Sequence, residues 1–195
     1  MKKIILATGN LGKVRELNAM LEGYYRVVSQ NDMQVVEVPE TGTTFIENAL
    51  IKARNASSQS KLPALADDSG LEVDALNGEP GVYSARYAGE KATDEDNIAK
   101  LILNMDQYDN RTAHFCCAMV FVQNEDDPNP IIVEKYWKGE ILRESIGSNG
   151  FGYDPIFYLP ELGCTSAQLK PEKKNQLSHR GQALSELLNH LLSSN

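Results

Sequence analysis

Apolar residues along the chain recur at two spacings, and the spacing changes repeatedly. Continuous or alternating apolar runs predict strands at residues 3–8, 25–28, 33–38, 62–66, 113–123 and 131–139. Between and after them, apolar positions three and four apart predict amphipathic helices. One carries Val14, Leu17, Ala19, Met20 and Leu21; a second carries Phe45, Ile46, Ala49, Leu50, Ala53 and Ala56. A third presents Ile98, Leu101, Ile102 and Met105, and the last presents Ala183, Leu184, Leu187, Leu188, Leu191 and Leu192. Thr44 with Glu47 has capping-box spacing, Thr93 precedes an acidic first turn that suits a helix dipole, and Ser178 is a natural N-cap. The run at 113–123 is apolar on both faces, so both are expected to be covered, with 131–139 returning beside it as an antiparallel partner. Residues 141–144 predict a further short strand, and 71–76 either extend a strand or open a short helix. Strands alternating with helices give an α/β fold.

The polar punctuation of this pattern carries the chemistry. The apolar run Leu62-Pro63-Ala64-Leu65-Ala66 ends in Asp67-Asp68-Ser69-Gly70, which places two carboxylates and a hydroxyl where an α/β protein delivers its reactive groups. An acidic turn is the ordinary alternative. The first strand enters Thr8-Gly9-Asn10-Leu11-Gly12-Lys13 and then a helix; N–H groups there, with Lys13, Thr8 and Asn10, can hold an anion. A full Walker A loop is absent, and a plain helix-start turn competes. Asn48 and Lys52 lie four apart on one helix face, after Glu40-Thr41-Gly42, whereas Glu47 and Arg54 suit capping and surface roles. Residues 147–157 combine glycines with Phe151, a stacking surface for a planar ligand, and Asp154, which can instead cap a turn. His179 and Arg180 fall in the first turn of the last helix, the unfavourable end for cations, so a ligand or a buried carboxylate is needed to explain them. Tyr83, Arg86 and Tyr87 belong to a Gly/Pro-punctuated loop that can pack under the site or form an interface, with a well-packed connection slightly preferred, and His114 is a structural or surface histidine.

With 195 residues the chain suits one domain of two lobes. Its formal charge of -8 argues against long nucleic acid but not against a small phosphorylated ligand. No run is long enough to span a membrane and no secretory leader is visible; Cys116, Cys117 and Cys164 are expected to be reduced thiols in a cytoplasmic protein. Glu40, Asp67 and Asp68 offer hard oxygen ligands for Mg2+, and a carboxylate beside water can accept its proton. Phe151, Asp154, Lys174, His179 and Arg180 have the character of a base pocket. A metal-dependent nucleotide hydrolase accounts for this set better than a redox enzyme or a covalent serine hydrolase, whose fingerprints are missing. A nucleotide sensor without turnover is the competing class, and a scaffold held by the cysteine-bearing hairpin leaves the lysines and carboxylates unexplained.

The motifs Thr8-Gly9-Asn10-Leu11-Gly12-Lys13, Phe45-Ile46-Glu47-Asn48-Ala49 with Lys52-Ala53, Ala66-Asp67-Asp68-Ser69-Gly70-Leu71, Gly78-Glu79-Pro80-Gly81-Val82-Tyr83-Ser84-Ala85-Arg86-Tyr87, Phe151-Gly152-Tyr153-Asp154-Pro155 and Ser178-His179-Arg180 occur in this order. Together they resemble the Ham1-like or ITPase family of pyrophosphatases that act on non-standard purine nucleoside triphosphates, and the bacterial members most. The resemblance implies a two-lobed fold with a long mixed central sheet, a substrate cleft between lobes and a homodimer. It implies Mg2+-dependent hydrolysis of ITP, dITP and XTP to monophosphate and pyrophosphate. By the same resemblance Thr8, Gly9, Asn10, Leu11, Gly12 and Lys13 contact substrate phosphate with help from Lys52; Glu40 and Asp68 hold the metal, with Asp67 as a further candidate. Asp68 is also the proton acceptor proposed by that resemblance, and Ser69 contacts the substrate. Phe151, Gly152, Tyr153, Asp154, Lys174, His179 and Arg180 serve the nucleoside. Apart from the resemblance, Lys13 and Lys52 with Mg2+ can stabilise charge that develops on the phosphates, and Asn48 can point with Lys52 toward the substrate.

Overall fold

The N-terminal apolar run forms β1 (Lys2–Leu6), hydrogen-bonded in parallel to β2 (Tyr25–Ser29) on one side and to β3 (Ala64–Val73) on the other. The computed structural model of the protein describes residues 2–193. After β3 come β4 (Thr112–Val122), β5 (Ile131–Ile141), β6 (Phe157–Leu159) and β7 (Cys164–Thr165). The seven strands make one sheet in the order β2-β1-β3-β4-β5-β6-β7. Since β5 with β6 and β6 with β7 are antiparallel, the sheet is mixed. The α-helices are α1 (Leu11–Leu21), α2 (Phe45–Ser60), α3 (Asp94–Asn104), α4 (Pro171–Leu177) and α5 (His179–Ser193). The architecture is α/β, a central mixed sheet flanked by helices.

Two compact units divide the chain. The first comprises residues 1–68, 117–135 and 180–195; the second comprises 69–116 and 136–179. In the first unit the period of two in the strands sorts side chains into separate cores. Ile4 and Leu6 of β1, with Cys117, Met119 and Phe121 of β4, pack with Leu17 and Leu21 of α1 and Leu184, Leu187 and Leu191 of α5. Their neighbours Ile5, Ala64, Ala66, Val120 and Val122 face the other way, onto Ala49, Ala53 and Ala56 of α2. β4 is therefore covered on both faces there. The alanines matter because they let α2 sit close to the sheet, which brings its polar residues Asn48 and Lys52 to the carboxylates of β3. In the second unit Leu71, Val73, Phe115, Trp137, Ile141 and Phe157 form a core with Ile98 and Leu101 of α3.

Four expectations need correction or completion. Residues 33–38 form no strand. Gln34 takes a left-handed φ of 53°, and the backbone of Val36 is satisfied by side chains of α2: its N–H donates to Gln59 Oε1, while its carbonyl accepts from Asn55 and Gln59. The apolar run before Asp67 does not end there, because β3 continues through both carboxylates to Val73. Residues 71–76 do both things foreseen, finishing β3 and then turning as a 3-10 helix at Asp74–Leu76. The strand expected at 141–144 is absent: Ile141 closes β5 and the next residues are irregular. α4 had no apolar periodicity to announce it, although Pro171 sits in its first turn, a position that suits proline.

Candidate active site

In the first unit the glycine-containing loop opens α1. Asn10 is its N-cap, with Oδ1 accepting from the N–H groups of Gly12 (2.9 Å) and Lys13 (3.1 Å), and its own N–H donates to Thr8 Oγ1. This capping fixes where Lys13 starts, and its ammonium reaches Asp67 Oδ2 at 3.1 Å. The same oxygen accepts from Arg180 Nε at 3.2 Å, and Arg180 in turn binds Glu16 through a 2.7 Å contact. Asp67 is 0 % exposed, and its other oxygen, Oδ1, has no hydrogen-bond partner among the described residues. Burial alone would raise its pKa, but Lys13, Arg180 and Lys52 outweigh that and hold the carboxyl well below the usual carboxylate range. Burial likewise works against the Arg180 charge, which Asp67 and Glu16 more than restore. Cys117 Sγ lies beside Asp67, and burial with this anion pushes its thiol up to about 12, so it stays protonated.

The neighbouring carboxylate is arranged differently. Lys52 Nζ lies 2.8 Å from Asp68 Oδ1 and 2.9 Å from Glu40 Oε1, bridging the two. Asn48 Nδ2 donates to the other oxygen, Asp68 Oδ2, at 3.3 Å. Burial raises the Asp68 pKa, and the pull of Lys52 and Lys13 does not cancel it. Asp68 is thus the more basic of the adjacent pair, while the attraction of Asp68, Asp67 and Glu40 overcomes burial to keep Lys52 charged. Two adjacent carboxyls with pKa values pushed apart can serve different chemistry: Asp67 stays ionised, and Asp68 is the one with the basicity that proton transfer calls for.

The second unit gathers the remaining residues foreseen, beginning with Ser69, the next residue of β3. Asp154 opens a 3-10 turn and is 2 % exposed. It accepts from the Phe151 N–H (2.9 Å), Ser166 Oγ (2.8 Å) and Lys174 Nζ (2.6 Å). At Gly150, whose φ is +81°, a Cβ would fall 1.9 Å from Asp154 Oδ2, so only glycine lets the loop close over this carboxylate. Lys174, contributed by α4, also stands over the Phe151 ring at 4.8 Å. His179 stacks on Phe115 with centroids 4.8 Å apart and planes 9° from parallel. Gly152 donates its N–H to Asp94 at the start of α3, and the Tyr153 hydroxyl donates to the Ser84 carbonyl at 2.9 Å.

Against known proteins the chain gives a consistent result. A profile of the Ham1 family matches residues 4–190. The chain belongs to the Ham1 family. It is 57% identical over 194 residues to the dITP/XTP pyrophosphatase of Vibrio parahaemolyticus, covering 98% of this chain and 97% of that one. With the enzyme of the same name from Escherichia coli K12 it shares 52% identity over 194 residues, 98% of each chain. Among solved structures, a HAM1 protein from Coxiella burnetii matches with a TM-score of 0.92 and 47% identity over 99% of this chain and 100% of that one.

In this Ham1-family chain, sequence reasoning singled out both members of the Asp67–Arg180 pair but not the Glu16 that completes it. Glu16 has the look of a solvated helix residue, and only the burial of Arg180 reveals its use. Asp94 escaped notice for a similar reason, being fully explained as a helix-start acid. Among the described residues no three His, Cys, Asp or Glu side chains gather closely enough to form a cation site alone. Glu40 and Asp68 supply two hard oxygens flanking one cationic group, Lys52. That donor set fits Mg2+, which commonly takes one or two protein carboxylates and completes its shell with water and substrate phosphate. No helix among the described residues is long and apolar enough to cross a membrane.

Proposed function

We propose that this protein hydrolyses ITP, dITP and XTP to the nucleoside monophosphate and pyrophosphate, removing deaminated purines from the nucleotide pool. The observation that carries this reading is the adjacent pair Asp67 and Asp68, one held as a fixed anion between Lys13 and Arg180, the other kept basic beside Lys52 and Glu40. Relatives named dITP/XTP pyrophosphatase, matched along nearly the whole chain, support it. Glu40 and Asp68 would hold Mg2+, with Asp67 Oδ1 as a further candidate donor. When bound, the ion would neutralise charge on the triphosphate. Asp68 takes the proton of the attacking water at its carboxylate, and Lys13 and Lys52 stabilise charge that develops on phosphoryl oxygens. The first turn of α1 offers backbone N–H groups to phosphate. Ser69 is a further polar group on the substrate side.

For the nucleoside, Phe151 provides a stacking face, Lys174 and Asp154 fix its loop, and His179 with Arg180 supplies donors toward the 6-oxo group that hypoxanthine and xanthine share. Adenine presents an amino donor at that position and would leave buried donors unpaired. A cytoplasmic homodimer is the state in which we expect the protein to act.

With ITP and Mg2+ the expected products are IMP and pyrophosphate in equal amounts, with activity abolished by EDTA. Orthophosphate as the first product would overturn the reading, as would tight ITP binding without turnover. Replacing Phe151 with alanine removes a stacking partner of the kind that contributes about 1–3 kcal/mol per base, so KM for ITP should rise at least about fivefold with kcat nearly kept. An unchanged KM would remove Phe151 from the nucleoside site.

A further inference from the structure

Asn48 is 0 % exposed, at the start of α2, with both ends of its amide engaged. Gly42 donates its backbone N–H to Asn48 Oδ1 at 2.8 Å. A backbone N–H can only donate, so this contact fixes which end of the amide is oxygen, and Nδ2 must then face Asp68 Oδ2. Asn48 thus connects the segment that carries Glu40, two residues before Gly42, to the carboxylate on β3. The connection is tight on the Gly42 side. A Cβ built there would lie 2.6 Å from Glu47 Cβ, 2.7 Å from Asn48 Oδ1 and 3.0 Å from Asn48 N. The two residues after it are fastened as well: Thr43 and Thr44 donate their N–H groups to Glu47 Oε2 at 2.6 and 3.2 Å, and the Thr43 hydroxyl donates at 3.0 Å. Every one of these bonds ends on the first turn of α2.

We infer that Asn48 and Gly42 are positioning residues that set the separation of Glu40 and Asp68, and so the grip of that pair on a divalent cation. The inference rests on the proposed role of Glu40 and Asp68 as cation ligands. It assigns Asn48 a task different from touching substrate: its oxygen and nitrogen are spent on the protein itself, one on each wall of the cation site. Lys52 bridges the same two carboxylates from the next turn of α2, so a single helix end holds both walls in register. Partners that orient metal ligands from behind typically change metal affinity about 10–100-fold when removed.

The test uses Mn2+ alone, without nucleotide, monitored by the electron paramagnetic resonance signal of the free ion. Wild type, Glu40→Gln, Asn48→Ser and Gly42→Ala are compared, with thermal melts to establish folding. The inference expects Asn48→Ser and Gly42→Ala to bind Mn2+ at least about tenfold more weakly than wild type, and their kcat for ITP at saturating Mg2+ to fall less than at limiting Mg2+. Gly42→Ala deletes no donor to Asp68, so a loss there follows from the new Cβ pushing apart the Gly42 backbone and the Asn48 amide rather than from a missing group; if Asn48→Ser does not fold, Gly42→Ala carries the comparison. Wild-type binding lost in Glu40→Gln but unchanged in the folded variants would overturn the tether and leave the cation site standing. A raised KM for ITP with Mn2+ affinity intact would overturn it too, in favour of direct substrate contact by Asn48. No difference between wild type and Glu40→Gln would overturn the cation reading and the tether with it.

Discussion

Asp68→Asn lowers kcat for ITP about a hundredfold to ten-thousandfold, the usual contribution of a general base, while KM changes little. The substitution is nearly isosteric, so the backbone of β3 and the packing beneath it are kept. What it removes is the proton acceptor, one of the two proposed cation ligands and the negative charge that Lys52 meets at 2.8 Å, so the comparison is made at saturating Mg2+. Asn48 donates to Asp68 Oδ2, and an amide at position 68 can present its own oxygen there, so no buried donor is orphaned on that side. Steady-state kinetics with a coupled pyrophosphate assay, beside circular dichroism of the variant, measures the effect. Turnover within threefold of wild type in a folded variant would remove Asp68 from the proton-transfer step. Asp67→Asn offers the contrast: it disturbs a charge that Lys13 and Arg180 both need, so its first symptom is lost stability.

Arg180→Met destabilises the protein by about 3–5 kcal/mol at neutral pH, the usual cost of removing one partner from a buried ion pair. Arg180 is 2 % exposed and spans two carboxylates, Asp67 and Glu16. Methionine fills most of the space and restores neither charge. The pH dependence distinguishes this cause from a packing defect. Asp67 has a folded pKa below its unfolded value, so the stability it contributes through Arg180 is complete above roughly pH 3.9, the ordinary carboxylate value, and is lost as pH falls toward the depressed folded value. The gap between wild type and Arg180→Met should therefore narrow on acidification. Urea unfolding from about pH 2 to 7, with closely spaced points below about pH 4, reads it directly. A gap that stays constant with pH would mean that the guanidinium acts here by volume and not by charge.

Much of this arrangement was legible in the chain because local rules and burial agree in it. Thr44 and Glu47, Thr93 and Asp96, and the double-faced apolar run of β4 all say locally what the fold then does. His179 and Arg180 at a helix start were legible as an anomaly; the carboxylates beside Arg180 are the buried Asp67 and the partly buried Glu16, while His179 stacks on Phe115. Residues 33–38 misled because the alternation that marks a strand reports half-burial and not its cause: Val35 is buried and Val36 exposed, but the hydrogen bonds come from amide side chains of α2. α4 was hidden by its composition. Its lysines, glutamate and glutamine present no apolar stripe, and what holds it is the buried Lys174–Asp154 pair. Such pairings join residues distant in sequence, and no local pattern encodes them.

The pairing of Asp67 with Arg180 also bears on how the polypeptide can be made. The partners are separated by 113 positions, and the first unit draws on three stretches of chain, one of which begins at Arg180. While the protein is being synthesised, β3 emerges with a carboxylate that has Lys13 beside it but whose second close counter-charge, Arg180, has not yet been translated. The inner faces of β1 and β4 wait as long for Leu184 and Leu187 of α5. A nascent chain halted anywhere before position 180 therefore holds an unfinished core with a charge inside it, so this unit reaches its native state only after that late stretch has left the ribosome.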